Sequence, residues 1–577
     1  MFNDLPFQHV VLLDTEFYGL PGNRQTPVAI VLREWRTGET IRLFQDELKQ
    51  LSACPFPTGA GSCYIAFYSP AEWNTFLALG WSLPLNVIDF YVEFRNLTND
   101  LLHFGKSNLI NALDYFGEPS IGHAYKAEMQ ALILTGGPWD AAQKAAILDY
   151  CESDVEALVK LYPHIISRLD LPRALLRGRF MPAVACMEWA GIPIDVERYQ
   201  RLLCHWGSIQ EQLIERINWD FYCVYEGTRF RSRVWEWYLI RKGISWPRTA
   251  SGKLDLKQAT FESMLRLHPE IEPIYNLRNS IGKMRLRDIS VGSDGRNRCM
   301  LSPFRSRTGR NQPSSARFIL GSAAWMRGLI RPELGRGLAY VDFSQEEFAI
   351  AAALSQDRDM QRAYLSGDPY LALAKRAGYI PRDATKASHP QQRRIYKEAC
   401  LAIQYGLGAP NFGNKIGTSP VIAESILQSH RKAFSRFWQW SDSCVRYAAL
   451  YGKLWSVFGW YRHYSQMREQ SARNFCIQAA GAEILRLAII FAQAAGIKVI
   501  GPLHDALLIE SDLCSIEEAV EITQKAMKRA GELTLKGFPL RSEAKLILCP
   551  DRYMEPRGQA MWELVWEIVN EIEQGNL

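Results

Sequence analysis

The feature that most limits what this chain can fold into is a pair of short apolar runs, far apart in sequence, that each deliver an aspartate. In GLAYVDFSQEEFAIAAALS a β-branched and aromatic run ends at Asp342 and Phe343, and a helical pattern follows at once. Ser344 and Glu347 have the Ser-x-x-Glu spacing of a capping box, so the helix is expected to begin at Ser344. In IKVIGPLHDALLIE two apolar runs flank the polar step His504-Asp505. This predicts a hairpin that presents Asp505 at its turn, with Pro502 near the tip. Two carboxylates on neighbouring strand ends repel unless cations neutralise them. The arrangement therefore suits a pair of divalent metals, which stand about 3.5–4 Å apart in two-metal sites generally.

A second acidic set lies near the N-terminus. HVVLLDTEFYG is a buried-strand pattern in which Asp14 and Glu16, two apart, project from one face. Asp89 ends another apolar segment, LPLNVIDF, with Asp100 and Asp114 as alternatives nearby. In DYCESDVEAL, Tyr150 and Asp154 are one helical turn apart. Such acids again call for Mg²⁺, a hard cation that takes oxygen ligands, and Tyr150 is placed to orient a water.

Between Asp342 and Asp505, RRIYKEACLAIQYGLG spaces Arg393, Lys397, Leu401 and Tyr405 at steps of four. One helical face then offers two cations to a triphosphate and an apolar and aromatic surface to a base. The net charge of +6 is too small to identify a polyanionic partner. Its distribution says more. Arg278, Lys283, Arg285, Arg287, Arg296, Arg298, Arg305, Arg307, Arg310 and Arg317 outnumber Asp288 and Asp294 in one stretch, a strip able to displace counterions from a phosphate backbone.

At 577 residues the chain has room for several domains, and 47% apolar with 22% charged residues excludes wholesale disorder. The twelve cysteines include no Cys-x-x-Cys and fit reduced thiols in an intracellular protein. The longest apolar stretch, Leu487 to Ile500, is broken by Gln493 and Lys498, so no membrane span is expected. Strands and helices alternate up to about Leu169, and DLPRALLRGRFMP reads as a linker. Most tryptophans, including Trp438, Trp440 and the stripe Trp562, Val565, Val569, Ile572, read as packing residues.

Taken together, DFSQEE, RRIYKEACLAIQYG and LHDALLIE resemble, in order, the three motifs of the family A DNA polymerases. The resemblance extends from AVACMEWAGIPIDVERY through SRTGRNQPSS and RNFCIQAAGAEILRLA to DRYME. The N-terminal acids are similar to the DEDD 3′→5′ exonucleases of the tyrosine subclass: Asp14 and Glu16 match the first motif, Asp89 the second, Tyr150 and Asp154 the third.

The resemblance implies an α/β multidomain protein, an RNase H-like exonuclease domain followed by a right-handed polymerase. Its divisions are an exonuclease domain over 1–170, a linker and start of palm over 171–195 and a thumb over 196–295. A palm with the first motif over 296–355, fingers over 356–470 and a palm with the third motif over 471–577 complete it. It implies primer-dependent DNA synthesis with proofreading, on DNA primer–template and deoxynucleoside triphosphates. Each of the two sites takes two Mg²⁺, with Mn²⁺ able to substitute. Asp342, Asp505 and the Phe343 carbonyl would hold the polymerase metals; Asp14, Glu16, Asp89 and Asp154 would hold the exonuclease metals. Arg393, Lys397, Leu401, Tyr405, Gln345 and Glu347 would bind the nucleotide, with Glu347 excluding the ribose 2′-hydroxyl. Arg310, Asn474, Gln478 and His504 would contact primer or template.

Leu401, Ala506 and Ala349 depart from the family's usual residues, and Leu401 with the lack of a 5′-nuclease segment resembles compact phage-borne members. A soluble intracellular monomer, with replication accessory proteins as further partners, is the expected form. A single-subunit RNA polymerase and a non-catalytic DNA-binding relative are the competing readings.

Overall fold

The computed structural model describes residues 5–101, 107–119, 122–283, 286–465 and 467–575. Arg285 of the basic strip lies outside the described residues. Two sheets organise the chain. The N-terminal sheet is built from β1 (His9–Tyr18), β2 (Thr26–Glu34), β3 (Thr40–Phe44), β4 (Ser62–Ala66) and β5 (Asn86–Asp89), in the order β3-β2-β1-β4-β5. β1 pairs antiparallel with β2 and parallel with β4, and β4 pairs parallel with β5. Val10 to Leu13 and Val28 to Leu32 are fully buried, which explains why these strands read as continuous apolar runs rather than alternating ones.

Four helices frame the acidic end of this sheet: α1 (Pro70–Leu79), α2 (Phe90–Leu97), α3 (His123–Leu134) and α4 (Ala141–Ile166). The stretch read from sequence as a linker is instead two helices, α5 (Leu171–Gly178) and α6 (Phe180–Ala190). Pro172 is tolerated because it falls in the first helical turn, where its missing N–H costs nothing. Arg177 forms a buried ion pair with Glu93 at 2.6 Å. Gly178 presses against the sheet so closely that a Cβ there would lie 1.8 Å from the Val87 carbonyl oxygen.

The second sheet holds β6 (Arg336–Phe343), β7 (Lys498–Leu503), β8 (Ala506–Asp512) and β9 (Ser542–Leu548), in the order β7-β8-β6-β9 and antiparallel throughout. Between β6 and β7 come, among other helices, α7 (Glu346–Ser355), α8 (Pro390–Gln404) and α9 (Glu469–Ala494). By length and composition α9 could cross a membrane, yet 89% of its most apolar window is buried inside the fold, where it serves as a core helix. The two halves meet through polar contacts. Asn99 donates to the carbonyls of Arg307 and Tyr461, and Asp100 pairs with Arg307 at 3.0 Å and Arg462 at 2.8 Å. Asp100 is therefore a structural joint between the halves.

The basic strip is only partly a surface feature. Arg296 is buried against Glu510 at 2.6 Å, Arg298 pairs with Asp294 at 2.7 Å, and Arg278 packs over Phe230 and Phe261. Arg287, Arg305, Arg307 and Arg317 remain exposed. Arg278, Arg296 and Arg298 instead meet rings, carbonyls or acids, because an arginine taken from water must find such partners.

Candidate active site

The N-terminal acids converge. Asp14 and Glu16 point from one face of β1, and α4 brings Asp154 to them; the carboxylate oxygens of all three lie within 4.8 Å of one another. Tyr150 sits one turn earlier on α4 and is buried. Burial, followed by the Asp154 charge, holds the Asp14 carboxyl well above the usual carboxylate range; burial and then Asp14 do the same to Glu16. Such a cluster is short of positive charge. Lys126 of α3 supplies some, with Nζ 2.9 Å from an Asp154 oxygen.

Asp89 is not part of this cluster, contrary to the sequence reading. Its carboxylate caps α2 and accepts from the Ser69 amide and hydroxyl, both at 2.7 Å, and from the Tyr68 and Val92 amides, both at 3.2 Å. Four donors leave it little lone-pair capacity for a cation. The acid that turns toward the cluster is Glu72, in the first turn of α1. It is buried, one of its oxygens lacks any hydrogen-bond partner, and after burial the Asp14 charge raises its pKa most. Sequence reasoning missed it because Glu72 sits inside a helix, in SPAEWN, without the strand-end pattern used to find the others. The signal was present: an acid flanked by residues destined for the core. Asp114, on a separate helix over Leu109–Phe116, is exposed and stays apart.

At the second sheet, register places the two polymerase-type aspartates side by side. Asp342 pairs with Ala506 across β6 and β8, and the Phe343 amide donates to the Asp505 carbonyl at 3.2 Å. On the other side of β6, Asp342 faces Glu543 of β9. Burial, then Asp505, then Glu543, push the Asp342 carboxyl up to about 6. Burial raises Asp505 as well, against the nearby Arg310 and His504. The turn between β7 and β8 holds His504 at φ 56°, and Pro502 lies within β7 rather than at the tip.

The capping box expected at Ser344 does not form. Gln345, at φ 52°, occupies the N-cap position without a side-chain cap, and Ser344 donates to Glu543 at 3.0 Å. Glu347 is thereby free for the cleft. It accepts from Gln478 at 2.5 Å and from the Tyr405 hydroxyl at 3.1 Å, with Arg310 at 4.0 Å. Asn474 also hydrogen-bonds Tyr405. Gln345 itself accepts from Arg541 at 3.2 Å. The neighbouring Glu346 is a surprise: it is buried against Gly481 and Arg310, with one oxygen unpartnered and a pKa pushed by burial and Asp505 up to about 8.

On α8, Arg393, Lys397 and Leu401 follow each other toward Tyr405 at the C-cap. Lys397 is exposed, whereas Arg393 is paired with Asp368. Gly406, at φ 67°, allows the chain to turn under α9, where a Cβ would lie 2.8 Å from Gln470. His504, Arg310 and Arg327 line a cavity of about 280 Å³ beside the aspartates.

With this geometry in view, the likeness to known proteins is informative. The family model for DNA polymerase family A matches residues 321–546. The match spans Asp342, Asp505 and the helices between them. DNA polymerase I of Aquifex aeolicus is 27% identical over 410 residues, covering 67% of this chain and 69% of that protein. The thermostable DNA polymerase I of Thermus caldophilus is 22% identical, over 69% of this chain and half its own length. The DNA polymerase of Mycobacterium phage L5 is 24% identical, over 47% of this chain and 45% of its own. In fold, the chain is similar to the POL domain of Pol1 from M. smegmatis, in complex with DNA primer-template and dNTP. That likeness has a TM-score of 0.68 at 18% identity and covers 94% of this chain and 95% of that one.

The family A segment contains Asp342, Glu347, Arg393, Lys397, Leu401, Tyr405, Asn474, Gln478 and Asp505. Arg310 and the whole N-terminal acidic cluster lie outside it.

Proposed function

We propose that the chain catalyses template-directed, primer-dependent DNA synthesis and removes mispaired 3′ ends at its N-terminal site. The observation that carries the first half is the register that sets Asp342 beside Asp505 at one end of the family A sheet. Both carboxyls are held above their ordinary range by burial, as acids are where a cation belongs. Two Mg²⁺ suit this donor set, held by Asp342, Asp505 and the Phe343 carbonyl; when bound, they activate the primer hydroxyl and stabilise the departing pyrophosphate.

The protein's own groups do the rest. Lys397 faces outward from α8 toward a triphosphate, and Arg393 joins it on exchanging Asp368 for phosphate. Tyr405 and Gln478 fix Glu347 rigidly, so its carboxylate forms a wall against a ribose 2′-hydroxyl. Arg310, Asn474, Gln478 and His504 surround the aspartates as primer and template contacts. In the division of the chain, 1–170 is the exonuclease domain, 171–195 a helical connection and start of palm, and 196–295 the thumb. Palm segments over 296–355 and 471–577 enclose fingers over 356–470.

At the N-terminal site, Asp14, Glu16 and Asp154 with the unpartnered oxygen of Glu72 fit a divalent cation. Tyr150 then orients a water for attack on the terminal phosphodiester. Primer extension with deoxynucleotides and Mg²⁺ tests the synthesis reading: Asp342→Ala and Asp505→Ala must each lose far more than about tenfold. Asp14→Ala must lose excision of a mismatched primer terminus and keep extension.

A further inference from the structure

Lys126 is the cation that α3 lays into the N-terminal acidic cluster. Its ammonium nitrogen is 2.9 Å from an Asp154 oxygen and 5.7 Å from the centre of the Tyr150 ring. Its charge also acts on Asp14 and Glu16. The Lys126 side chain keeps 26% of its surface exposed, while that of Asp154 keeps 9%. The groups that face it are therefore three carboxylates and one phenol ring, with solvent on the open side.

We propose that Lys126 is the resident counter-ion of the exonuclease site and its contact to the scissile phosphate. Without divalent metal, Lys126 holds Asp154 and offsets the mutual repulsion of the acids. Loading of a divalent cation onto Asp154 displaces the ammonium. The flexible four-carbon stem lets it swing to the exposed side, where the substrate's phosphate arrives. There a point charge offsets the negative charge that grows on the non-bridging oxygens during attack. In that step a water oxygen bonds to phosphorus and the bond from phosphorus to the 3′-oxygen breaks. That oxygen gains a proton, releasing a nucleoside 5′-monophosphate. Lys126 forms no covalent bond in this step.

The inference rests on the exonuclease reading, and one experiment separates the two. In full-length protein carrying Asp342→Asn and Asp505→Asn, which silences the other metal site, Mn²⁺ binding is measured by electron paramagnetic resonance without DNA. Removal of a competing cation should tighten Mn²⁺ binding by about tenfold in Lys126→Met. On a single-stranded oligonucleotide, the same change should slow excision by about a hundredfold, and Lys126→Arg should recover most of it. A purely structural lysine would weaken Mn²⁺ binding or leave it unchanged, and either result overturns the proposal. Tighter Mn²⁺ binding with undiminished excision overturns the phosphate contact. Mn²⁺ binding that survives Asp14→Asn overturns the exonuclease reading itself.

Discussion

Replacing Asp342 by asparagine should stabilise the metal-free protein while abolishing synthesis. Asp342 is crowded by Asp505 and Glu543 and partly withdrawn from water, so its carboxyl titrates near 6 rather than at the usual 3.8. The sign follows from proton linkage. Between pH 3.8 and 6 the folded state binds more protons at this group than the unfolded chain does, so stability falls as pH rises through that window. Above pH 6 the penalty is fully present, and below pH 3.8 it vanishes. A shift of roughly two units corresponds to about 3 kcal/mol at full value. Asp342 is only half-buried, so solvent screening reduces the expected gain to about 1–1.5 kcal/mol. The assay is thermal unfolding of wild type and Asp342→Asn in EDTA at pH 8 and near pH 4.5, followed by Mg²⁺ at pH 8. The variant should melt about 1 °C higher at pH 8. The difference should shrink at acid pH, and Mg²⁺ should raise the melting temperature of wild type more than that of the variant. A variant that melts lower than wild type in EDTA at pH 8 would refute the reasoning, as would a difference that ignores pH.

Four further outcomes follow from particular contacts. Glu72→Gln should cut excision of a mismatched terminus at least a hundredfold with extension intact. Asp89→Asn should act mainly through stability, lowering it by about 1–3 kcal/mol as a buried, four-fold bonded acceptor is weakened; the two are told apart by excision rate against melting temperature. Glu347→Ala should admit ribonucleotides, measured as the ratio of ribonucleotide to deoxynucleotide incorporation, and a ratio unchanged within twofold would deny Glu347 that role. Gly178→Ala should loosen α5 from the N-terminal sheet, because its Cβ has no room beside the Val87 carbonyl. Proteolysis between the two halves should accelerate; unchanged resistance would contradict the packing described.

What could be read from sequence, and what could not, divides along a physical line. Strand ends were legible because a buried strand announces itself as an apolar run, and the polar residue that stops the run is held at the sheet's edge. Asp342 and Asp505 were found that way; Asp14 was found by the end of its apolar run, although β1 continues past it to Tyr18. The same rule misfired at Asp89, which also ends an apolar run but spends its oxygens on the Ser69, Tyr68 and Val92 donors. A strand end shows that an acid is held in place; it does not show whether that acid is already satisfied. Glu72 is the converse case, an acid with no strand to announce it that is left with an unsatisfied oxygen. Glu347 adds a third variation, since the local Ser-x-x-Glu signal pointed to a cap while tertiary contacts with Tyr405 and Gln478 claimed the side chain. Hydrogen-bond demand is settled by partners that lie 20 to 131 residues away in the chain, as Ser69 does for Asp89 and Gln478 for Glu347. Periodicity cannot reach that far. The acids that remain underbonded after the fold has claimed its share, Glu72 in the N-terminal site and Glu346 beside Asp505, are where added cations gain most.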